Sequence, residues 1–456
     1  MTFIFYDTET TGLSAGFDQI LQFAALVTDD DFNVIEEVNL RCRLQSHVVP
    51  SPGALLVTGV RPSDIQGANL SHYQMVRKIR NVIEQHTPAV IVGYNSISYD
   101  ESMLRQAFYQ TLNPVYLTNM NGNTRMDMLR VAHAVSEYAP DVLQIPLNDK
   151  GRPSFKLGLL AAANGLVHED AHEAMSDTLV TLGLARLVRA KAPKIWEAMY
   201  ATRAKRSVQG FMADTDVFCF TDKMFKQSSV LATQIAPSPE NSSQVAVFDL
   251  SHDPVHYLDI SKKDMVSLLR TTPRPIRVVK ANQQPILASY EFSHVGVAGH
   301  DLPIYQLQER ARQVKEHPTF ADNVAHAIAN RYPEREPSKL VEEQIYNAFP
   351  SWSDQKLMEQ FHQQPWEERL GTVLQLTDDR LGELGERLIY TERPDALPED
   401  VILRRDRWRH ERIHAEQSVQ WVTAGSALEE VESLRTKGSG KHEDLFQDIE
   451  MFLGKL

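Results

Sequence analysis

The sequence predicts an α/β layer architecture followed by a β-rich segment and a helical end. Three observations carry this reading. Strand-like runs open the chain, and the apolar run "AVIVGYNS" sits among helical stretches, the order expected when helices cover a sheet. After "KAPK" the chain breaks into short β-like runs separated by Pro, Ser, Asn and Asp clusters. From about residue 303 onward, apolar residues recur at helical spacing.

Each element has its own signal. "FIFYDTET" reads as a first strand. "QILQFAALVTDDDFNVIEEVNLRCRL" reads as two more around a turn at Asp29 to Phe32, together an antiparallel meander. "YQMVRKIRNVIEQH" has the period of an amphipathic helix. "AVIVGYNS" is apolar without alternation, which marks a buried central strand. Helices are predicted at about 101–111, 126–138, 156–164 and 173–190. Between about 208 and 300, "DVFCF", "SSVLATQIA", "QVAVFDL", "PIRVVKA" and "PILAS" suggest a small barrel or sandwich with helical insertions such as "KKDMVSLLR". "RYPEREPSKL" is a polar, proline-containing joint. Beyond it, "WSDQKLMEQFHQQ", "DRLGELGERLIYT" and "ALEEVESLRTK" indicate a helical domain. The expected division is 1–195, 196–334 and 335–456.

The composition sets bounds. A chain of 456 residues is long enough for about three domains. Its 42% apolar and 23% charged residues are ordinary globular values and argue against disorder. A net charge of -13 argues against a protein that coats duplex DNA, yet leaves room for a local basic groove. Cys42 and Cys219 lie far apart and fit no metal or CxxC spacing, so a reducing, cytoplasmic setting is expected. Neither a leader nor a membrane span is expected.

The chemistry begins in "IFYDTETTGL", where Asp7 and Glu9 stand two positions apart on a strand and so share a face. Lone same-face carboxylates are usually solvated. At the tip of a buried strand they repel one another and call for a proton or a hard cation. Asp100 follows the buried strand at a helix start, where an N-cap is the commoner role. His172 precedes Asp177 by five residues, about 500° of helix. The two therefore do not share a helical face, and His172 is expected on the loop before the helix with Asp177 one turn inside it. Several carboxylates around one point can hold two cations that clamp the attacking and leaving oxygens of a phosphodiester. A histidine beside them can take a proton from water. In this scheme Asp7 bridges, Glu9 and Asp177 complete the first ion's ligands, Asp100 serves the second, and His172 is the general base.

The order DTE, an Asp after GYN, then HxxxxD resembles the DEDDh family of 3'-to-5' exonucleases, with Asp7, Glu9, Asp100, His172 and Asp177 on its five catalytic positions. "SPGALLVTGVRPSD", "GYNSISYDESMLRQAFY", "GRPSFKLGLLAAANGLVHEDAHEAMSDTLVTLGLARLV" and "EEQIYNAFPSWSDQKLM" are similar, more narrowly, to bacterial exodeoxyribonuclease I. The resemblance implies a ribonuclease H-like exonuclease domain with a mixed sheet, an SH3-like β-rich middle domain and an α-helical C-terminal domain. It implies processive release of 5'-mononucleotides from single-stranded DNA with a free 3' end. It further implies two Mg2+ ions, with Mn2+ able to substitute, a role in DNA repair and recombination, a monomer, and single-stranded-DNA-binding protein as a partner.

On substrate-binding positions the resemblance is looser. Glu9 carries over, Lys156 stands where an Arg is usual, and Arg105 matches a DNA-contacting Arg, although a solvated helix face explains it equally well. Lys keeps the charge but loses bidentate geometry. Stretch 116–125 has no Trp where relatives stack bases. Asp127 reads better as a cap than as a site residue, and Tyr94, Tyr99 and Phe155 better as core than as base stackers. Of two basic stretches, that around Arg274 and Arg277 is the better prospect for DNA, while "RRDRWRHER" at 404–412 reads as a charged helix face. The competing readings are an exoribonuclease or proofreading-type nuclease, and a non-catalytic single-strand end-binding protein.

Overall fold

The computed structural model describes all residues except 169–172, 223–227, 273, 333–335 and 439–441. The chain forms two compact units, one of Met1–Asn123, His168–Leu179 and Glu336–Leu456, the other of Thr124–Val167 and Val180–Arg335.

In the first unit, strands β1 (Thr2–Thr10), β2 (Ile20–Thr28) and β3 (Val34–Arg41) form the antiparallel meander the alternation predicts. The strand β4 (Ala89–Gly93) pairs with β1 in parallel, Thr2 opposite Ala89 through Phe5 opposite Val92. The order is β3-β2-β1-β4, so β1 is flanked on both sides. That position explains why "FIFY" alternates so poorly: residues 3 to 6 are all buried. Helices His72–Gln85 and Asp100–Gln110 cover one sheet face, packing Met75, Val76, Ile79, Leu104 and Phe108 against Ile4, Phe23 and Ile91.

The C-terminal helices belong to the same unit. Ile413, Val431, Phe446 and Ile449 share a core with Leu21, Val49 and Leu55. Phe361, Leu384 and Leu388 share another with Tyr73, Tyr109 and Leu112. Polar ties reinforce the first. The Glu430 carboxylate accepts from Ser51 Oγ at 3.1 Å and the Gly53 N–H at 3.1 Å, and Arg61 pairs with Asp448 at 2.7 Å.

In the second unit, strands β5 (Thr124–Asp127), β6 (Phe218–Asp222), β7 (Ser228–Pro237), β8 (Gln244–Asp249), β9 (Ile276–Lys280), β10 (Ile286–Ser289) and β11 (Val297–Ala298) appear. Six of them form one sheet in the order β10-β6-β7-β8-β9, with β11 on β7. The β-like runs read from the sequence all fall on these strands. Two features differ from expectation. The segment predicted as helix from 126 begins as β5, and its helix, Met128–Tyr138, starts only after Asp127 caps it through the Leu129 N–H at 3.0 Å. Helices Pro193–Ala201 and Lys205–Asp214 precede β6, where β structure was expected from about 208. Val208 and Met212 of the latter pack under Phe218, Val230 and Val247, an apolar spacing of four that the β reading overlooked.

His362, half-buried, and His72, buried, contribute to an acid sensitivity of the first unit. His362 joins the Tyr73 hydroxyl at 2.9 Å to the Leu112 carbonyl at 2.9 Å, and burial beside Arg77 pushes its pKa down to about 3. Burial pushes His72 down to about 4. Below about pH 6.5 the unfolded chain takes up protons at these rings that the native chain excludes, so stability should fall from there toward pH 4. Denaturant melts across this range should show the decline, and His362→Asn, less stable at pH 7, should show a shallower one. An equal slope would assign the acid sensitivity to other groups.

Candidate metal centre

The site is built on the end of β1. Asp7 and Glu9 sit opposite Ala24 and Gln22 of β2 and project to one face, as their spacing requires. Helix Ala174–Lys191 brings Asp177 to the same point from its first turn. Carboxylate oxygens of Asp7, Glu9 and Asp177 lie within 4.8 Å of one another.

Asp100 reaches the site by another route. After β4 the chain turns sharply at Gly93, where a Cβ would stand 2.5 Å from the Ser96 Cβ and 3.2 Å from the Tyr6 carbonyl, so only glycine fits. Helix Asp100–Gln110 follows at once, with Tyr99 in the N-cap position and Asp100 as its first residue. The capping role considered for Asp100 is therefore not the one it has. Its buried carboxylate accepts from the Thr8 hydroxyl at 2.5 Å. It stands outside the three-carboxylate cluster, yet its charge is the strongest single charge acting on Asp7. His172 lies outside the described residues.

Electrostatics decide what this arrangement can hold. Burial, then the charges of Asp100, Glu9 and Asp177, raise the Asp7 pKa well above the carboxylate range. Burial, then Asp177, Asp100 and Glu173, raise Glu9 to about 8. Such a group of oxygen donors must bind protons or be neutralised by a cation, and a hard divalent ion is the cation that carboxylates suit. The donor set thus fits a divalent metal.

Three supporting residues went unnoticed in the sequence. His168 Nε2 lies 2.6 Å from Asp177 Oδ1 and fixes that carboxylate's orientation. Glu173 accepts from Gln22 Nε2 at 2.5 Å, Arg41 at 3.2 Å and the Ser176 N–H at 3.0 Å, so it ties the helix start to β2 and β3. Burial would raise the Glu173 pKa, but those hydrogen bonds and the Arg41 charge hold it below the usual range. A signal existed for one of them. Gln22 is a polar residue within the otherwise apolar run 20–27 of β2, directly opposite Glu9.

The remaining candidates divide. Arg105 is no solvated helix residue: it donates to buried Glu101 at 2.9 Å and to Asn119 at 3.2 Å. The Tyr99 hydroxyl contacts Thr10 Oγ1 at 2.5 Å and donates to the Gly12 carbonyl at 2.8 Å, which makes it a brace for the loop after β1. Tyr94 is half-buried just past β4. In the second unit, Lys156 is exposed at the start of helix Leu157–Ala163, and Phe155 meets His133 edge-on at 4.1 Å. Arg274 is exposed, while Arg277 pairs with Asp249 at 3.2 Å. Stretch 404–412 is less of a surface than its charges suggested, since Arg405 and Arg412 are buried. Arg405 pairs with Glu383 and Glu386, and Arg412 with Glu342.

Comparison with known proteins follows the same lines. The Exonuclease family model matches residues 4–185 and the Exonuclease I C-terminal domain model residues 339–456. Exodeoxyribonuclease I of Escherichia coli is 29% identical over 376 residues, 78% of this chain and 78% of that protein. Its counterpart from Haemophilus influenzae is 31% identical over 305 residues, 63% of this chain and 64% of the other. The crystal structure of E. coli Exonuclease I in complex with a dA16 oligonucleotide superposes with a TM-score of 0.87 at 25% identity, covering 100% of this chain and 99% of that one. The chain is a homologue of exodeoxyribonuclease I. The likeness makes it an exonuclease with a ribonuclease H-like domain and a helical C-terminal region. Divalent metal use accompanies the family, and a zinc-bound form of the E. coli enzyme with single-stranded DNA has been solved. Among the described residues of this exodeoxyribonuclease I homologue, no helix is long and apolar enough to cross a membrane.

Because Glu9 titrates near 8, a cation must displace protons to bind below that pH. Affinity for Mn2+ as a probe ion should weaken about tenfold per pH unit for each proton displaced below pH 8. Calorimetry in buffers of different ionisation enthalpy should register the released protons. Affinity that stays constant from pH 6 to 8 would contradict the raised pKa.

Proposed function

We propose that this protein is a 3'-to-5' exonuclease that degrades single-stranded DNA processively to 5'-mononucleotides, and that it serves DNA repair and recombination. The observation that carries the reading is the cluster of Asp7, Glu9 and Asp177 at the end of β1, in a chain whose homologues include an enzyme solved with bound dA16. Two Mg2+ ions, for which Mn2+ can substitute, would supply charge neutralisation at the phosphate and lower the pKa of water.

The chain's own residues do the rest. Asp7, Glu9 and Asp177 would hold one ion, and Asp7 with Asp100, directly or through water, would hold the other. Thr8 keeps Asp100 oriented, and His168 does so for Asp177. His172 accepts the proton of the water that attacks phosphorus. The P–O3' bond breaks, the leaving O3' takes a proton from solvent to become the new 3' hydroxyl of the shortened strand, and the nucleotide leaves with its 5' phosphate. Glu9, Lys156 and Arg105 contact the substrate. We assign hydrolysis to residues 1–195 and further strand contacts to 196–334 and 335–456. The protein acts as a monomer, with single-stranded-DNA-binding protein as a partner, in the cytoplasm.

End-labelled single-stranded DNA, duplex DNA and RNA, each incubated with Mg2+ or chelator, test the reading. Mononucleotide release confined to single-stranded DNA with a free 3' end, abolished by chelator, is the expected result. Comparable release from RNA would reassign the substrate. Asp7→Ala should lower turnover by about three orders of magnitude or more, the scale lost when charge stabilisation at a reacting centre is removed. His172→Ala should lose at least about a hundredfold, typical of general-base removal, while keeping Mn2+ affinity. A variant that lost the ion instead would make His172 a ligand.

A further inference from the structure

Helix Glu399–His414 ends on a motif that hydrolysis at the carboxylates does not use. "HERIH", residues 410–414, sets His410 and His414 four positions apart. Four positions are about 400° of helix, so the two imidazoles stand about 40° apart on one face and one turn apart along it. Both side chains are exposed, and their rings lie 4.7 Å apart, centroid to centroid, at an angle of 48°. Among the described residues neither imidazole has a hydrogen-bond or ion-pair partner. Two rings so close repel one another when both are protonated, and a cation shared between them turns the contact favourable.

The turn that carries them is held from its other side. Arg405 pairs with Glu383 and Glu386, Arg412 pairs with Glu342, and Ile413 is buried with Val431 and Phe446. Trp421 Nε1 donates to the Arg412 carbonyl at 2.9 Å, which satisfies one of the acceptors that a helix end leaves open. With the backbone fixed, the exposed rings converge by turning about their own side-chain torsions alone. Charges one turn earlier on the same face are balanced and engaged. Asp406 accepts from the Tyr390 hydroxyl at 2.5 Å, and Arg407 donates to the Leu403 carbonyl at 3.4 Å.

Carboxylates suit hard ions such as Mg2+, whereas imidazoles suit Zn2+, Ni2+ and Cu2+. We infer that His410 and His414 form a metal site built from donors other than those of the carboxylate centre: a two-imidazole chelate for a Zn2+-class ion, its remaining positions filled by water. An ion held by both rings ties residue 410 to residue 414 and staples the last turn of the helix, the turn that carries Arg412. With Glu411 the motif has the H-E-x-x-H spacing of helical zinc hydrolases, but such centres need a third protein ligand. Among the described residues no further imidazole, thiol or carboxylate comes close enough to share an ion with the pair. The site is accordingly one of binding, and it stands whether or not the single-strand reading does.

Retention of the untagged full chain on a Ni2+-charged chelating resin tests the pair, because a resin-held ion reaches exposed imidazoles and not a buried carboxylate cluster. The parent should be retained in excess Mg2+ and released by free imidazole, and His410→Gln/His414→Gln should pass through. In solution, with Zn2+ as the probe and Mg2+ in excess, calorimetry should show either single variant binding at least about tenfold more weakly at this site, since each ring raises the effective concentration of the other. Zn2+ should also raise the melting temperature of the parent by more than that of the double variant. Both positions are exposed, and each single variant leaves one ring in place, so folding can be checked in three separate proteins by circular dichroism. A parent that passes through the resin, or a double variant retained like the parent, would overturn the chelate. Equal Zn2+ shifts in melting temperature for the two would overturn the staple.

Discussion

Repulsion among carboxylates at the end of a buried strand is the constraint around which the first unit is organised. Asp7 and Glu9 lie on β1, with Asp177 beside them and Asp100 close enough to act on both. Left to itself such a group would spread, since each ionised carboxylate raises the cost of ionising the next. Spreading is opposed from every side. β1 is hydrogen-bonded to β2 and β4, Asp100 is tied to Thr8, Asp177 to His168, and the helix start to β2 and β3 through Glu173. The apolar sheet beneath offsets the strain by burying Phe3, Ile4, Phe5 and Tyr6. Until a cation arrives the group relieves its repulsion by holding protons, and a cation that displaces them meets donors already in place.

The same need for a fixed frame explains how the C-terminal helices join the first unit. Helix Asp100–Gln110 carries a site residue at one end, and near its other end Gln106 and Tyr109 donate to the carbonyls of Glu342 at 2.8 Å and Val341 at 3.0 Å. Glu342, itself buried, pairs with Arg387 at 2.8 Å and with Arg412. A buried carboxylate shared by two guanidiniums is destabilising if either partner is lost, so the network admits one geometry more than it adds net stability. The position of Asp100 is therefore set by residues more than two hundred positions later in the chain.

Those long-range ties are also what the sequence conceals. The meander, the buried β4 and the amphipathic helices were legible because burial on one face leaves a period in the residues themselves. The carboxylates were legible because strand spacing alone puts Asp7 and Glu9 on one face. Asp100 was harder to place, since the acid after "GYNSISY" suits a cap as well as a site, and it is the helix start one residue earlier, at Tyr99, and the Thr8 contact that separate the two. His168 and Glu173 carry no periodic signal at all: their partners lie on a helix turn and on two strands that the sequence does not show to be neighbours. Arg405 and Arg412 misled for the opposite reason, since a run of charges looks solvated until the facing helices supply Glu383, Glu386 and Glu342.

That last observation bears on how a chain of net charge -13 could grip a polyanion. Several of its conspicuous cations already face carboxylates: Arg105 meets Glu101, Arg277 meets Asp249, and Arg404 and Arg405 meet Glu386. A guanidinium so engaged offers a phosphate only part of its field, and breaking a buried pair to free it costs several kcal/mol, roughly 3 to 5. Gross charge attraction is accordingly a poor source of affinity here. These guanidiniums therefore serve first to hold the frame together.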